Sequence, residues 1–495
     1  MVNIATFAWE RSHRSAEVTC ECGADMTSDL GVFACGGYRN GADEPAGRRE
    51  LTQTTVARVR SSLSVDPNVV RDRIRSRLET TPGRLNGYLI VLTILGVLAG
   101  LSAVVGAAQR NDSIDSVVNR SGPLAVQAQR LYRALSDADA TAASAFLSSA
   151  AEPPDLRQRY QLDIADASAA LAAAASAGTS GTSGTSGTAA DPIARISAKL
   201  PVYTGLVETA RTQNRLNLPV GAAYLREASA LMRDELLPAA SQLYQSETAQ
   251  LDDDLSAGSS FPWLTVPLIL VLLGGLVLAQ RYLTRRTQRL LSRGMAVATV
   301  ATVVMLLWVA VSWLDVSNQL GDSRDQGSAQ VNLIAQARIA ALQARADEAL
   351  TLVARGSGDA FEKDFTDRMA TISGAAGLVG QARNQAQSAD VAKDLDKALG
   401  SIAGWGSQHK QVRTLDDGGQ YPEAVTLALG DNAKTFNAID TSLGDAIAKA
   451  DGAFRDHASS ADAAMSGATV GWSLLTIVSI AGLVLGLRQR IAEYR

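Results

Sequence analysis

Cys20, Cys22 and Cys35 are the only cysteines of the chain, and His13 lies near them. Thiolates and imidazole are zinc ligands, but structural zinc sites usually pair their cysteines as Cys-x-x-Cys knuckles. A Cys-x-Cys step and one distant cysteine lack that spacing, so three reduced thiols in a polar tail is the favoured reading. The other histidines, His409 and His457, fall in separate helical stretches and read as solvated helical residues. Asp252, Asp253 and Asp254 could attract a cation, yet consecutive helical residues point to different faces, and a solvated acidic run is favoured. The chain has no Gly-rich phosphate loop ending in Lys-Ser/Thr, no His-Glu-x-x-His and no Gly-x-Ser-x-Gly. The sequence therefore reads as a non-enzyme, with no catalytic residue, cofactor site or metal site assigned.

The densest charge lies in Ala279–Met295, where Arg281, Arg285, Arg286, Arg289 and Arg293 occur without an acid. Guanidinium groups at such density meet lipid phosphates or an acidic protein surface, and Arg285, Arg286 and Arg289 are the candidate contacts for a cytoplasmic partner. What positions them is apolar. The runs Tyr88–Ala108, Phe261–Ala279, Met295–Leu314 and Thr469–Leu487 carry no charged side chain and have 19 to 21 residues. Each is long enough to cross roughly 30 Å of hydrocarbon as a helix. The absence of ionisable groups at membrane depth argues against a transporter. Gly96-x-x-x-Gly100 and Gly482-x-x-x-Gly486 place small residues on one face of the first and last runs, where two helices could approach closely.

Charge around the runs sets an expected topology. Arg71, Arg73, Arg75, Arg77 and Arg84 precede the first run, and Arg488, Arg490 and Arg495 follow the last. With the central Arg-rich loop they place both termini and that loop in the cytoplasm of a bacterial cell, as a multi-pass plasma-membrane protein. Trp263, Trp313 and Trp472 then fall at the outer interface, and Tyr88 and Tyr282 at the inner one. No cleavable signal peptide is visible, so the first run is expected to act as an uncleaved anchor. The expected organisation is a polar tail at 1–84, membrane helices at 88–108, 261–279, 295–314 and 469–487, outer helical segments at 109–260 and 315–468, a loop at 280–294 and a tail at 488–495. Net charge is −4, so nucleic acid is not an expected partner.

Both outer segments read as helices. Leu124, Ala128, Leu131, Leu135, Ala138, Ala142 and Ala145 form a heptad seam, and Ala335, Ile339, Leu342, Ala346, Ala349 and Val353 form another. Turns are expected at Glu152–Asp155, at Asn217-Leu218-Pro219, at Gly356–Asp359 and at Asp416–Gly419. Arg130-Leu131 matches Arg338-Ile339 and Ala138-Asp139 matches Ala346-Asp347, both 208 residues apart, whereas Gly221-x-x-Tyr224 matches Gly418-x-x-Tyr421 at 197. The difference equals the 11 residues of the Gly-Thr-Ser repeat Gly178–Thr188. The fold class expected is an all-α integral membrane protein with four transmembrane helices and two tandem extracytoplasmic antiparallel four-helix bundles, produced by duplication.

A membrane-anchored four-helix module of this kind resembles the ligand-binding part of bacterial chemoreceptors, without their cytoplasmic signalling rod. The stretch Leu131–Leu147, LYRALSDADATAASAFL, with Glu152–Tyr160, EPPDLRQRY, more closely resembles the first outer domain of actinobacterial four-span proteins of the GlnX type. The resemblance implies amino-acid sensing: an extracytoplasmic solute-binding lipoprotein outside and a serine/threonine kinase of the PknG type inside, with the membrane protein relaying between them. Membrane lipid and a second copy of the chain, as a homodimer, complete the expected partners. The alternative is an envelope scaffold whose outer bundles only hold partners in place. The topology is checked with single cysteines at Ser180, Ser357 and Ser292 in a cysteine-free background. An impermeant thiol reagent on intact cells should label the first two, and labelling at 292 would reverse the orientation.

Overall fold

Stretches free of clustered Gly and Pro leave the helix as the element that satisfies every backbone group internally. The computed structural model describes residues 81–148, 152–180, 189–287, 293–465 and 467–492, and no strand occurs among them. The tail with Cys20, Cys22 and Cys35, residues Gly181–Thr188 of the Gly-Thr-Ser repeat, and Arg289 lie outside the described residues. The helices are α1 (Thr81–Ser116), α2 (Gly122–Leu147), α3 (Pro154–Ser180), α4 (Ala190–Arg215), α5 (Val220–Leu231), α6 (Leu237–Ser259) and α7 (Thr265–Thr287). The chain continues with α8 (Arg293–Asp322), α9 (Ala329–Val353), α10 (Asp359–Ile372), α11 (Leu378–Gln385), α12 (Ala389–Asp417), α13 (Tyr421–Leu429), α14 (Asp431–Met465) and α15 (Ala468–Ala492).

Four helices are long and apolar enough to cross a membrane, and only 28–33% of each apolar window is buried within the protein. An uncharged helix with most of its surface uncovered suits lipid and would be insoluble in water. These helices form a closed ring in which α1 touches α7 and α15, and α8 touches the same two. Few polar groups tie it: Thr302 and Ser479 share a hydrogen bond of 3.0 Å, and the Gln280 amide donates to Thr299 Oγ1 at 2.7 Å. Tyr88 and Tyr282 lie with ring centroids 5.9 Å apart, and Phe261 packs edge-on against both Trp263 and Trp313. Trp472 is buried between helices at 1% exposure.

Two helices pass from the ring into the outer region without a break. Between α1 and α2 the chain makes a π-helical turn, Val117–Ser121, and between α8 and α9 another, Ser323–Ser328. Pro123 follows the first of these, and Pro238 follows a third π-turn, Met232–Leu236, between α5 and α6. Proline lacks the N–H for the preceding turn and its ring crowds the carbonyl four residues back, which a widened turn relieves. The outgoing helices are interrupted. Ser260 is extended after α6, and Gly467, at φ +78°, separates α14 from α15.

In the outer region α2 packs on α3, α6 and α9, while α9 packs also on α10 and α14. Both α2 and α9 run away from the ring, so they form a parallel pair. Their seams are buried as the heptads require, apart from Leu124, which is half-buried. The two segments share one buried cluster, which joins Leu131, Leu135 and Leu243 to Leu350, Leu352 and Val412; a second, around Trp405, belongs to the second segment alone. The second segment also departs from a simple four-helix plan. Its second helix is split into α10 and α11 at Gly374, which has φ +72°, and its last is split at Gly430.

The glycine pairs of the ring face different neighbours. Gly96 and Gly100 lie against Ile480 and Thr476 of α15, whereas Gly482 and Gly486 lie against the backbone of α8 at Gly294 and Ala298. A Cβ at Gly486 would come 2.7 Å from the Met295 nitrogen, but one at Gly96 would make an ordinary contact of 3.5 Å with Ile480. Backbone cannot yield as a side chain can, and such overpacking costs about 1–3 kcal/mol. Gly486→Ala should therefore lower the melting temperature of the detergent-solubilised protein by several degrees, and Gly96→Ala should leave it nearly unchanged.

Candidate functional site

Where α2 and α9 meet, both helices are buried on every side, and their polar residues must be satisfied by protein. Asp139 accepts from Ser229 Oγ at 2.8 Å and from the Tyr203 hydroxyl at 3.4 Å. Burial raises its pKa, against the lowering effects of Ser229 and Arg233. Asp347, 208 positions later, receives Arg233 at 3.2 Å and Arg368 at 2.8 Å. Burial outweighs both guanidinium groups and lifts its pKa to about 6. Arg233 sits in the π-turn of the first segment, so it ties that segment to the second. A matching tie lies on the other side: Arg159 reaches Asp137 at 2.9 Å and Asp440 at 3.7 Å, and Asp440 also holds Arg338 at 2.7 Å.

Between the segments, below this seam, opens a cleft of about 780 Å³. Cavities of a few hundred to a thousand cubic ångströms are the usual size for small-molecule sites. On α2 its lining runs from Gly122 to Arg133, about 16 Å of helix at 1.5 Å per residue. Near the ring Ala125, Leu251 and Phe454 lie beside two ion pairs, Arg324 with Asp252 and Arg455 with Asp451. Five arginines line the cleft in all, Arg130, Arg133 and Arg338 farther from the ring. Arg133 pairs with Asp137 and Asp166, Arg324 with Asp252, Arg338 with Asp440, and Arg455 with Asp451. Arg130 has no carboxylate partner among the described residues.

Phe454 links the cleft to the two entry helices. It is 6% exposed, and it packs where Gly122 and Gly327 leave room. A Cβ on Gly122 would stand 3.2 Å from its ring, and one on Gly327 would stand 2.6 Å from its Cβ. Ser323 Oγ donates to its carbonyl at 3.2 Å. One side chain thus touches the π-turn below α9 and the residue that follows the π-turn below α2.

The residues singled out from the sequence lie elsewhere. Arg285 is exposed at the end of α7, Arg286 is described only in its backbone, and Arg289 is outside the described residues. His409 corrects its expectation as a solvated residue: it is 4% exposed and stacks on Phe365 at 3.6 Å. Its Nδ1 lies 2.8 Å from Glu348 and its Nε2 3.1 Å from Glu362. Glu348 is enclosed by Arg345, Trp405 and Asn432 as well. A signal for this burial was present, because Val391, Leu395, Ala398, Ile402, Trp405, His409 and Val412 follow an unbroken heptad. Among the described residues no group of three His, Cys, Asp or Glu is placed to hold a metal ion.

The ring of apolar helices and the all-helical outer region define a class, a helical protein fit to pass the membrane several times. Within it, residues 113–256, from the last turn of α1 to near the end of α6, match the family model of an actinobacterial sensor domain. That match supports an actinobacterial sensor protein with a sensing or signalling role. No curated protein and no solved structure matches the chain.

Burial lowers the pKa of His409, but its hydrogen bonds to Glu348 and Glu362 outweigh this and raise it to about 9. The folded state therefore favours the imidazolium. Its contribution is complete below the unfolded value near 6.5 and is lost as pH rises through 9. Arg345 and Arg413 are the other charged groups at this cluster. Melting temperature should fall between about pH 6.5 and 9.5, and His409→Gln should flatten that slope.

Proposed function

We propose that the protein is a transmembrane sensor-transducer without catalytic activity of its own, and that the two π-turns are its moving parts. The observation that carries this reading is the contact of Phe454 with both entry helices at the base of the cleft. A π-turn holds one extra residue in a helical turn, so its gain or loss rotates the helix below it by about 100°. Occupancy of the outer region would then be read as rotation of α1 and α8 within the ring. Rotations and register shifts of packed helices are an established means of switching between packed states.

The finer parts of the reading follow the sequence. The Arg clusters favour an outer region on the extracytoplasmic face and both termini inside. The GlnX-type resemblance favours an amino-acid signal, delivered through a solute-binding lipoprotein and relayed to a serine/threonine kinase. The loop with Arg285, Arg286 and Arg289 is the inner surface that joins the halves and is the proposed kinase contact. Paired π-turns below α2 and α9, the buried Asp139 and Asp347, and Arg130 and Arg338 in one cleft favour origin of the two halves by tandem duplication.

Spin labels at Asn86 and Arg293, the far ends of α1 and α8, test the transduction. Phe454→Ala should shift their distance distribution by several ångströms. An unchanged distribution in a folded variant would favour the scaffold alternative. Replacing Arg285, Arg286 and Arg289 by Gln should preserve the distribution and abolish capture of the kinase.

A further inference from the structure

We propose that the cleft between the two outer segments binds a small organic carboxylate of one net negative charge, held by the Arg130 guanidinium. The proposal deepens the sensor reading and rests on it for its consequence, though the site itself stands on geometry. Each other arginine of the lining is neutralised by an aspartate, as described above. Arg130 alone among the described lining residues brings an uncompensated charge to the cavity. A guanidinium offers a planar pair of donors that matches a carboxylate in two parallel hydrogen bonds.

Two amides stand ready beside it. Gln129 is 8% exposed, lines the cleft and makes no hydrogen bond to another described residue. The Asn332 Oδ1 accepts from the Tyr244 hydroxyl at 2.8 Å, which leaves its Nδ2 donor for other use. Neither the Gln129 amide nor the Asn332 Nδ2 is sealed from water, so a ligand in the cleft takes over hydrogen bonds that solvent otherwise makes. An apolar patch of the lining, Val126, Leu251 and Phe454, gives the body of the ligand a surface to cover. A phosphate dianion fits less well, because it would need a second free cation. A cationic ligand would face Arg130 directly. A ligand seated on Phe454 would press on the same side chain that touches the two entry helices.

The test is calorimetric titration of the full chain in lipid nanodiscs with butyrate, benzoate, succinate, L-glutamate, L-lysine and inorganic phosphate. Butyrate, benzoate or L-glutamate, each of charge −1, should bind, and the member that binds tells a simple acid from an acidic amino acid. Arg130→Gln should weaken that binding at least tenfold, and Arg130→Lys should restore part of it. Because Arg130 has no carboxylate partner among the described residues, the ligand-free melting temperature should stay unchanged in both variants. The proposal is overturned if none of the three binds, if phosphate or L-lysine binds instead, or if Arg130→Gln binds as the parent does. The spin labels at Asn86 and Arg293 separate the two readings. Carboxylate binding that depends on Arg130 but leaves the labels still would sustain the site and sink transduction. A label shift in Phe454→Ala without any carboxylate binding would sustain transduction and sink the site.

Discussion

The outer region depends on one constraint: α2 and α9 are enclosed on every side over residues 134–145 and 344–353, yet neither is apolar all round there. Their seams carry alanine and leucine, and the opposite faces carry Asp137, Asp139, Arg345, Asp347 and Glu348. A buried charge is tolerated only when paired and hydrogen-bonded. Most partners lie in the same segment, as Arg159 for Asp137, Ser229 for Asp139 and His409 for Glu348, while Arg233 to Asp347 and Arg159 to Asp440 cross the segment boundary. Breaking a buried pair by removing one member leaves an uncompensated charge, which makes these ties more effective as constraints on geometry than as sources of stability. They fix how the segments sit, and with that they fix the walls of the cleft.

Much of the architecture was legible in the residues. Uncharged runs of membrane length, the two heptad seams and the turns at Pro219 and Gly356 all follow from periodicity and from the chemistry of helix breakers. Periodicity reports one stripe of a helix, so it could not tell that the other stripe of α2 and α9 is covered too. The aspartates there gave no sign of burial for that reason. His409 was legible in principle, since it holds a heptad position, but its polarity outweighed its place in the pattern. The cleft was not legible, because its walls come from residues far apart in sequence, such as Arg130, Tyr244 and Phe454.

The buried seam of α14 changes register along its length. Its buried positions include Asn432, Phe436, Ile439, Leu443, Ala446, Ala450, Phe454, Ala458, Ala461 and Met465. The spacing alternates four and three until Ala446, then takes three consecutive steps of four before it resumes. A step of this kind shifts the seam around the helix and locally unwinds the supercoil it makes with its partners. The slip lies where α14 leaves the core around Trp405 for the core around the ring, and Phe454 stands within it. The residue best placed to touch both entry helices is thus also where its own helix changes partners.

The breaks at Ser260 and Gly467 have a mechanical consequence. A continuous helix is a stiff rod, while an extended residue or a left-handed glycine between helices is a pivot. Of the four connections between ring and outer region, two are rods and two are pivots. Torque applied to α2 and α9 would reach the ring, whereas torque on α6 and α14 would be absorbed at their ends. On the proposed transduction the four apolar helices would divide into a driven pair, α1 and α8, and a pair, α7 and α15, free to follow. In the ring each driven helix touches both followers. Under that proposal the arrangement would act as two shafts in a shared bearing.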